Sequence, residues 1–245
     1  MVDPDRLFLP RGYSENRAEA VGTGNESGSW TRPANSSPGR QRRSQDPAYC
    51  FAARIASRRA TVLDVACGDG DNLVRRLSSH GRRIVGVAQS NVVALAAARF
   101  PEHEWIAGDL HATELWKALR ELSADVVICA DVVERVDNPV LLLERLRWLL
   151  AADTKLVLST PDRTRIEDQP PLGPPRNWHH IREWAEPEMR QLLESVGLRV
   201  ESSRHMFPRR YPLTWLNTKM IAWRALHLRA VPGRRSTMVF QLSRG

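Results

Sequence analysis

The 245-residue sequence contains few cysteines and no long apolar run. Its three cysteines are odd in number and lack the paired spacing of a zinc site or a disulfide framework. This predicts a reducing, cytoplasmic environment and no metal site. No apolar run approaches the ~20 residues of a membrane-spanning helix, and no secretion signal is recognisable. We therefore expect a soluble, unexported protein with one sizeable core.

Acidic residues are missing from one region of the chain. Residues 202–245 contain nine Lys or Arg and no Asp or Glu, whereas residues 61–160 carry eleven basic and fourteen acidic residues. The net charge of +8 therefore belongs mainly to the C-terminal region. Only Lys117, Lys155 and Lys219 are lysines. This preference for arginine over lysine is typical of a GC-rich genome, and we infer no chemistry from it.

Residues 1–46 are poor in aliphatic side chains and rich in Ser, Asn, Gly, Pro and Arg. Such a composition cannot bury enough apolar surface to offset the entropy of ordering, so we predict a disordered extension. Its basic cluster at 40–43 could contact an anionic partner, although a solvated charge run is the commoner case. Helical spacing of apolar residues over 46–59 predicts a helix that leads into a folded domain at 47–245.

Short apolar runs alternate with helical patterns from Thr61 onward. Five predicted strands that alternate with helices indicate a doubly wound, mostly parallel sheet. Two alternating runs, 198–203 and 237–242, add a sixth and a seventh strand. The first strand begins at Thr61, and the next four are predicted at 83–88, 105–107, 124–130 and 155–160; helices are predicted at 72–80, 92–99, 113–122, 140–150 and 186–195.

Small and polar residues follow these strands. In an open parallel sheet, ligands collect beyond the carboxyl ends of the strands, near the switch in strand order. We expect one crevice there, with Gly68 and Gly70 allowing the backbone to turn sharply and approach a ligand. The residues that follow the five strands are 64–70, Gln89 and Ser90, Asp109, 131–134, and Pro161 with Asp162.

Two glycines alone also fit an ordinary strand-to-helix connection. A dinucleotide oxidoreductase would need a third glycine at position 73, which is Leu73. The spacing therefore disfavours a nicotinamide cofactor.

The whole series resembles the class I S-adenosylmethionine-dependent methyltransferases across about 61–200. The first motif is Leu63-Asp-Val-Ala-Cys-Gly-Asp-Gly70, the adenine-binding acidic motif is Gly108-Asp-Leu110, and the fourth is Ala130-Asp-Val-Val-Glu134 with Asp137-Asn-Pro139. Leu156-Val-Leu-Ser-Thr-Pro161 and His180-Ile-Arg-Glu-Trp184 are similar to the small-molecule branch, which includes quinone-pathway and sugar methyltransferases. The resemblance implies a Rossmann-like, seven-stranded fold with S-adenosylmethionine as cofactor.

The resemblance also implies roles for individual residues. Asp64 would help to hold the glycine-rich loop and the cofactor amino group, and Gly68 and Gly70 would admit the methionine and ribose portion. Asp109 would accept a hydrogen bond from the adenine amine, since an ionised carboxylate is only an acceptor. The alternative for Asp109 is the N-cap of the next helix. The full cofactor-binding set is Asp64, Ala66, Gly68, Gly70, Gln89, Ser90, Asp109, Leu110 and Ala130.

Gln89 departs from the family pattern. The family usually has Asp or Glu at the end of the second strand, where the side chain grips both ribose hydroxyls. An amide can accept from one hydroxyl and donate to the other, but it gives up charge-assisted hydrogen bonds. We therefore predict a working site with weaker cofactor affinity; an altered nucleoside cofactor and loss of catalysis are the alternatives.

Methyl transfer is an in-line displacement at the sulfonium methyl group, so its rate depends on how the acceptor is aligned with that group. Where the acceptor is a hydroxyl, a base is also needed to remove its proton. His180 is the first candidate base, because imidazole titrates near neutral pH and the residue lies beside a predicted substrate loop. Asp131 and Glu134 are the second candidates. The alternative for His180 is structural, in which it fixes the loop near Trp178 and Trp184.

Residues 207–235 form a predicted helical insertion before the last strand, with an apolar stripe and basic neighbours but no acids. Packing on its own domain is the simplest interpretation. A lid over the substrate cleft, a peripheral membrane contact and a homodimer contact are the others. The excess of basic residues in this insertion favours contact with an anionic group, such as a nucleotide-sugar phosphate, a carrier-protein surface or a lipid headgroup.

We therefore expect a methyltransferase that acts on a hydroxyl of a small molecule, such as a natural-product sugar or phenol. RNA or protein methylation is the second hypothesis, although no nucleic-acid module is recognisable. A non-catalytic scaffold that binds the cofactor is the third.

Overall fold

A computed structural model describes residues 4–16, 38–166, 169–206 and 237–245. Seven strands form one sheet in the order β3-β2-β1-β4-β5-β7-β6. The first five pair in parallel, and β7 runs antiparallel to both β5 and β6. The strands are β1 Thr61–Val65, β2 Arg83–Ala88, β3 Glu104–Ala107, β4 Val126–Ala130, β5 Lys155–Pro161, β6 Leu198–Met206 and β7 Thr237–Arg244. The predicted mostly parallel, seven-stranded sheet is confirmed.

Six α-helices flank the sheet within the described ranges. They are α1 Pro38–Ile55, α2 Asp71–Leu77, α3 Ser90–Arg99, α4 Thr113–Glu121, α5 Pro139–Leu149 and α6 Glu186–Ser195. Pro139 occupies the first turn of α5, where its missing N–H costs nothing, and the Asn138 side chain caps that helix. None of these helices, in the part of the chain that is described, is both long and apolar enough to cross a membrane.

Two apolar cores lie on the two faces of the sheet. One unites the side chains of α4, α5 and α6 with one face of β1, β2, β4, β5 and β7, and the other unites α1 and α2 with the opposite face of the same five strands. Because both faces are covered, β4 is apolar and buried along its whole length, as a central parallel strand should be.

The N-terminal region differs from the predicted disordered extension over 1–46. Residues 4–16 pack on the domain, with Leu7 in the larger core, and α1 already begins at Pro38. The prediction is wrong for these two stretches because a few tertiary contacts fix a segment whose average composition is polar. The predicted insertion at 207–235 lies outside the described residues.

Candidate active site

The loop between β1 and α2 has a left-handed backbone at three positions. Ala66, Gly68 and Gly70 have φ angles of 65°, 59° and 71°. A Cβ on Gly70 would lie 2.2 Å from the Trp105 ring, whereas a Cβ on Gly68 would meet no described atom within 4 Å. Gly70 is therefore required by packing, and Gly68 borders open space at the carboxyl edge of the described sheet, where a ligand can approach the backbone.

Asp64 lies fully buried on β1, just below this loop. Its Oδ2 accepts a hydrogen bond from the Tyr49 hydroxyl at 2.9 Å, while its Oδ1 has no hydrogen-bond partner among the described residues. Burial raises the pKa of Asp64 to about 8. An unsatisfied carboxylate oxygen in the core is costly, so a cationic donor brought by a ligand would be favoured here.

Gln89 and Ser90 lie where β2 ends and α3 begins. Gln89 occupies the N-cap position of α3, but its side chain makes no capping hydrogen bond to this helix, all of which is described. Ser90 is the first helical residue and is exposed. Both side chains are therefore placed at the carboxyl edge, next to the loop.

Asp109 follows β3, and its Oδ1 accepts a hydrogen bond from the His111 N–H at 2.9 Å. The N-cap of α4 is Ala112. The alternative that Asp109 caps this helix is therefore wrong, and the side chain instead tightens an Asx turn. Leu110, next to it, accepts hydrogen bonds through its carbonyl oxygen from the Trp116 indole and the Arg145 guanidinium.

Ala130 and Asp131 mark the end of β4. The Ala130 carbonyl oxygen accepts a hydrogen bond from the Gln45 amide at 3.1 Å. Asp131 has a φ of 54°, and its Oδ1 accepts a hydrogen bond from the Ser159 hydroxyl at 2.9 Å. A strained residue held by its neighbours is typical of a functional site.

Glu134 is fully buried behind this strand end. Its Oε2 accepts a hydrogen bond from the Thr160 hydroxyl at 2.9 Å, and within the described ranges its Oε1 has no hydrogen-bond partner. The His180 Nε2 lies 3.7 Å from that oxygen. Burial, followed by the charge of Asp131, raises the pKa of Glu134 to about 8.

His180 is only 4% exposed. Its Nδ1 lies 2.5 Å from Glu183 Oε1 and its Nε2 lies 2.8 Å from the Asn177 amide nitrogen. Because the amide is a donor, the neutral ring would carry its proton on Nδ1 and accept at Nε2. As a base, His180 would have to exchange the Asn177 amide for the acceptor hydroxyl.

Residues 38–203 match the family described as "Methyltransferase domain". The chain belongs to this methyltransferase-domain family. A probable S-adenosylmethionine-dependent methyltransferase of Mycolicibacterium smegmatis is 31% identical over 158 residues, which are 64% of this chain and 58% of that protein. The chain thus spans less than two thirds of that relative's length.

Two solved structures show how widely the methyltransferase-domain fold is shared. One is the 1,6-didemethyltoxoflavin-N1-methyltransferase of Burkholderia thailandensis with bound 1,6-didemethyltoxoflavin and S-adenosylhomocysteine; the TM-score is 0.54 at 20% identity, over 84% of this chain and 82% of that one. The other is the cyclase SpnF, with a TM-score of 0.59 at 12% identity, over 88% of this chain and 86% of that one. At these identities the likeness concerns the fold, which by itself does not fix the reaction.

Three residues that contact the predicted site residues were not themselves predicted as site residues. Tyr49 belongs to the helical pattern over 46–59, and no local pattern links it to Asp64. Glu183 and Asn177 lie three residues either side of His180, a spacing that could have suggested partners. The predicted residues other than His180 lie at the ends of β1 to β4, as the parallel pairing requires. His180 lies in the loop before α6, with its Nε2 3.7 Å from Glu134 Oε1.

Proposed function

We propose that this chain transfers a methyl group from S-adenosylmethionine to a hydroxyl of a small-molecule acceptor, such as a sugar or a phenolic natural product. The observation that carries the proposal is the buried Asp64 carboxylate, whose Oδ1 lacks a partner in the described chain beneath the open backbone at Gly68. A carboxylate so placed favours an ammonium group. The match to the methyltransferase-domain family over 38–203 supports methyl transfer as the reaction.

The residues at the carboxyl edge fit such a cofactor chemically. Asp64 and the glycine-rich loop, including Ala66, Gly68 and Gly70, would hold its amino-acid part. Gln89 and Ser90 offer an amide and a hydroxyl to the ribose, and Asp109, which uses Oδ1 for its turn, would offer Oδ2 to the adenine amine. Leu110 and Ala130 would supply the remaining contacts. When bound, the cofactor supplies an electrophilic methyl group on a sulfonium.

The acceptor side would be formed by the ends of β4 and β5 and the loop before α6. We propose His180 as the base that takes the acceptor proton, with Glu183 holding Nδ1 and Nε2 exchanging the Asn177 amide for the acceptor hydroxyl. Asp131 and Glu134 are the alternative bases. Because the pKa of Glu134 is raised to about 8, this group keeps its proton near neutral pH, and it is better suited to donate a hydrogen bond than to remove a proton.

The first test measures binding of S-adenosylhomocysteine by calorimetry to the parent protein, Asp64→Asn and Asp153→Asn. Asp153 is exposed in the turn before β5, so its change is a matched control. We expect the parent and the control to bind with equal affinity and Asp64→Asn to bind more weakly. No binding by the parent would rule out the proposed cofactor.

The second test incubates the protein with S-adenosylmethionine and panels of sugars, phenols, amines, RNA and peptides, with mass spectrometry of the products. Methylated phenols or sugars would support the proposal, and methylated amines would move the acceptor atom to nitrogen. Methylated RNA or peptides would favour the second hypothesis. Cofactor binding without turnover on any panel would favour the scaffold.

A further inference from the structure

An N-terminal segment, residues 7–16, lies along the loop that carries the His180–Glu183 pair. We call this segment the strap. Five consecutive loop residues, 180–184, each bond to it. Asn16 donates from its amide to the His180 carbonyl oxygen at 2.8 Å and from its backbone N–H to the Ile181 carbonyl oxygen at 2.9 Å.

The other three contacts continue along the same loop. The Arg182 guanidinium contacts Glu15 Oε1 at 2.6 Å. The Glu183 N–H donates to the Tyr13 hydroxyl oxygen, and the Trp184 indole N–H donates to the Leu7 carbonyl oxygen, both at 2.9 Å. The loop backbone thus takes its position from the strap on one side.

On its other side the same loop contacts the end of β4. The Ile181 N–H donates to the Glu134 carbonyl oxygen at 2.8 Å, and His180 Nε2 lies 3.7 Å from Glu134 Oε1. A loop held between the strap and Glu134 has little freedom to shift. Loss of the strap contacts would therefore move the imidazole relative to Glu134.

The strap lies outside the family match, which begins at residue 38. The shared methyltransferase domain therefore does not account for it, and its contacts belong to this chain's own loop. Leu7, Phe8 and Leu9 pack the start of the strap against the larger core. Residues 13–16 instead form hydrogen bonds to the loop between β5 and α6, at Leu172, Pro175 and 180–183, which coverage of the core alone would not require.

We propose that the strap completes the acceptor side of the active site, where Asn16 and Tyr13 are positioning residues for the His180–Glu183 pair. This inference rests on the proposed methyl-transfer function. Asn16 is the sharpest point at which to test it, because its amide donates to the carbonyl oxygens of both Pro175 and His180, at 3.0 and 2.8 Å. An aspartate there would have the same shape but would present a carboxylate to those two oxygens.

The experiment compares Asn16→Ala and Asn16→Asp with Ser14→Ala in the full chain. Ser14 lies in the strap with an exposed side chain, and its backbone N–H donates to the Leu172 carbonyl oxygen, a bond that the change to alanine keeps. Three quantities are measured: amide deuterium exchange over 177–184, the ring nitrogen shifts of His180 assigned with His180→Gln, and the dissociation constant of S-adenosylhomocysteine.

We expect exchange over 177–184 to rise about tenfold in Asn16→Ala and further in Asn16→Asp. The His180 ring shifts should move in both variants, while S-adenosylhomocysteine affinity changes by less than about twofold because the strap is not bonded to the glycine-rich loop in the described structure. Ser14→Ala should resemble the parent in all three measurements.

Unmoved ring shifts and unchanged loop exchange in both Asn16 variants would overturn the inference. A uniform rise in exchange across the domain would overturn it too, since it would reveal a general role in stability. A parent protein that binds no S-adenosylhomocysteine would refute the proposed function and the inference with it. Normal binding with an unmoved His180 ring would refute the inference alone.

Discussion

The two halves of the carboxyl edge differ in how their polar groups are satisfied. On the proposed cofactor side, as far as the described residues show, Asp64 Oδ1 has no partner, the Gln89 side chain makes no capping hydrogen bond to α3, and the space beside Gly68 is open. A bound ligand could form hydrogen bonds with these groups. The backbone of the glycine-rich loop therefore sets the shape of the proposed cofactor side, and a ligand would supply its missing polar contacts.

On the acceptor side, the protein bonds to itself. Asp131 accepts a hydrogen bond from the Ser159 hydroxyl, and Glu134 accepts one from the Thr160 hydroxyl. The two ring nitrogens of His180 contact Glu183 and Asn177. Glu134 Oε1 lacks a hydrogen bond from the described chain, but His180 and Arg135 flank it at 3.7 and 3.6 Å. These groups of the proposed acceptor side are held by hydrogen bonds within the protein, so changes there should act first on the protein and only then on its ligands.

The largest effect is expected from the two glycines of the cofactor side. Gly70→Ala should lower the free energy of unfolding by about 3 kcal/mol, because its Cβ would collide with Trp105 and its φ is left-handed. Gly68→Ala carries only the backbone penalty of about 1 kcal/mol, but it should weaken S-adenosylhomocysteine binding by filling open space. Chemical denaturation and calorimetry measure both. Equal losses of stability in the two variants, with S-adenosylhomocysteine binding intact in Gly68→Ala, would mean that the ligand does not occupy the open space beside Gly68.

Asp64→Asn should weaken S-adenosylhomocysteine binding by about tenfold to a hundredfold, because it removes a charge-assisted bond from a buried site. The introduced amide would keep its oxygen on the Tyr49 hydroxyl and turn its N–H groups toward the ammonium. Calorimetry with Asp153→Asn as control measures this loss, and an affinity equal to that of the parent would mean that this carboxylate does not contact the ligand.

Binding to the parent should also release protons at neutral pH. With a pKa of about 8, Asp64 is protonated in the free protein at neutral pH, and an ammonium ligand favours its ionised form. Affinity should therefore rise as the pH approaches 8. Titrations in buffers of different ionisation enthalpy measure the release, and an equal release from Asp64→Asn would assign it to another group.

Glu134→Gln tests the acceptor side through the pH dependence of stability. The folded pKa of Glu134 is about 8, whereas an unfolded glutamate titrates near about 4.3. Between these values the folded state binds more protons, so the free energy of unfolding should fall as pH rises from about 4 to about 8 and level off above. Glu134→Gln should reduce that slope by about one proton.

Denaturation from about pH 5 to about pH 9 measures this slope, with Glu121→Gln as the control on the exposed face of α4. An unchanged slope in Glu134→Gln would mean that this carboxyl is already ionised in the folded protein. Burial would then not raise the pKa of Glu134 as its surroundings indicate.

The sequence predicted most of the fold because its strands are short apolar runs with sharp ends. β2 and α6 have the predicted bounds, and Pro161 ends β5, one residue beyond the prediction. β6 continues to Met206 rather than 203, because it pairs with β7 as far as Met206, beyond a register shift between Val200 and Ser202. That pairing depends on a strand about thirty residues away, which no local pattern of 198–203 contains.

In the candidate site, too, local sequence features could be predicted and contacts between distant residues could not. The glycines and the acids at the strand ends could be read from the chain, because strand ends are local features. Tyr49 and the strap could not, since each acts through a contact with residues distant in sequence. The polar composition of 1–46 also concealed Leu7, one apolar residue that helps to fix its segment by packing into the larger core while its carbonyl oxygen accepts from Trp184.

The smallest effect is expected at Gln89, the residue that departs from the family pattern, and it tests how many polar groups the cofactor side offers to a ligand. Gln89→Glu should tighten S-adenosylmethionine binding about threefold to tenfold, because a carboxylate at the end of β2 would form charge-assisted bonds with ribose hydroxyls. The Gln89 side chain makes no capping bond on the described helix α3, so the change should cost little stability. Gln191→Glu on the exposed face of α6 controls for the added charge. Unchanged or weaker binding, measured by calorimetry, would mean that position 89 does not reach the ribose, and that the open groups of the cofactor side are fewer than the structure suggests.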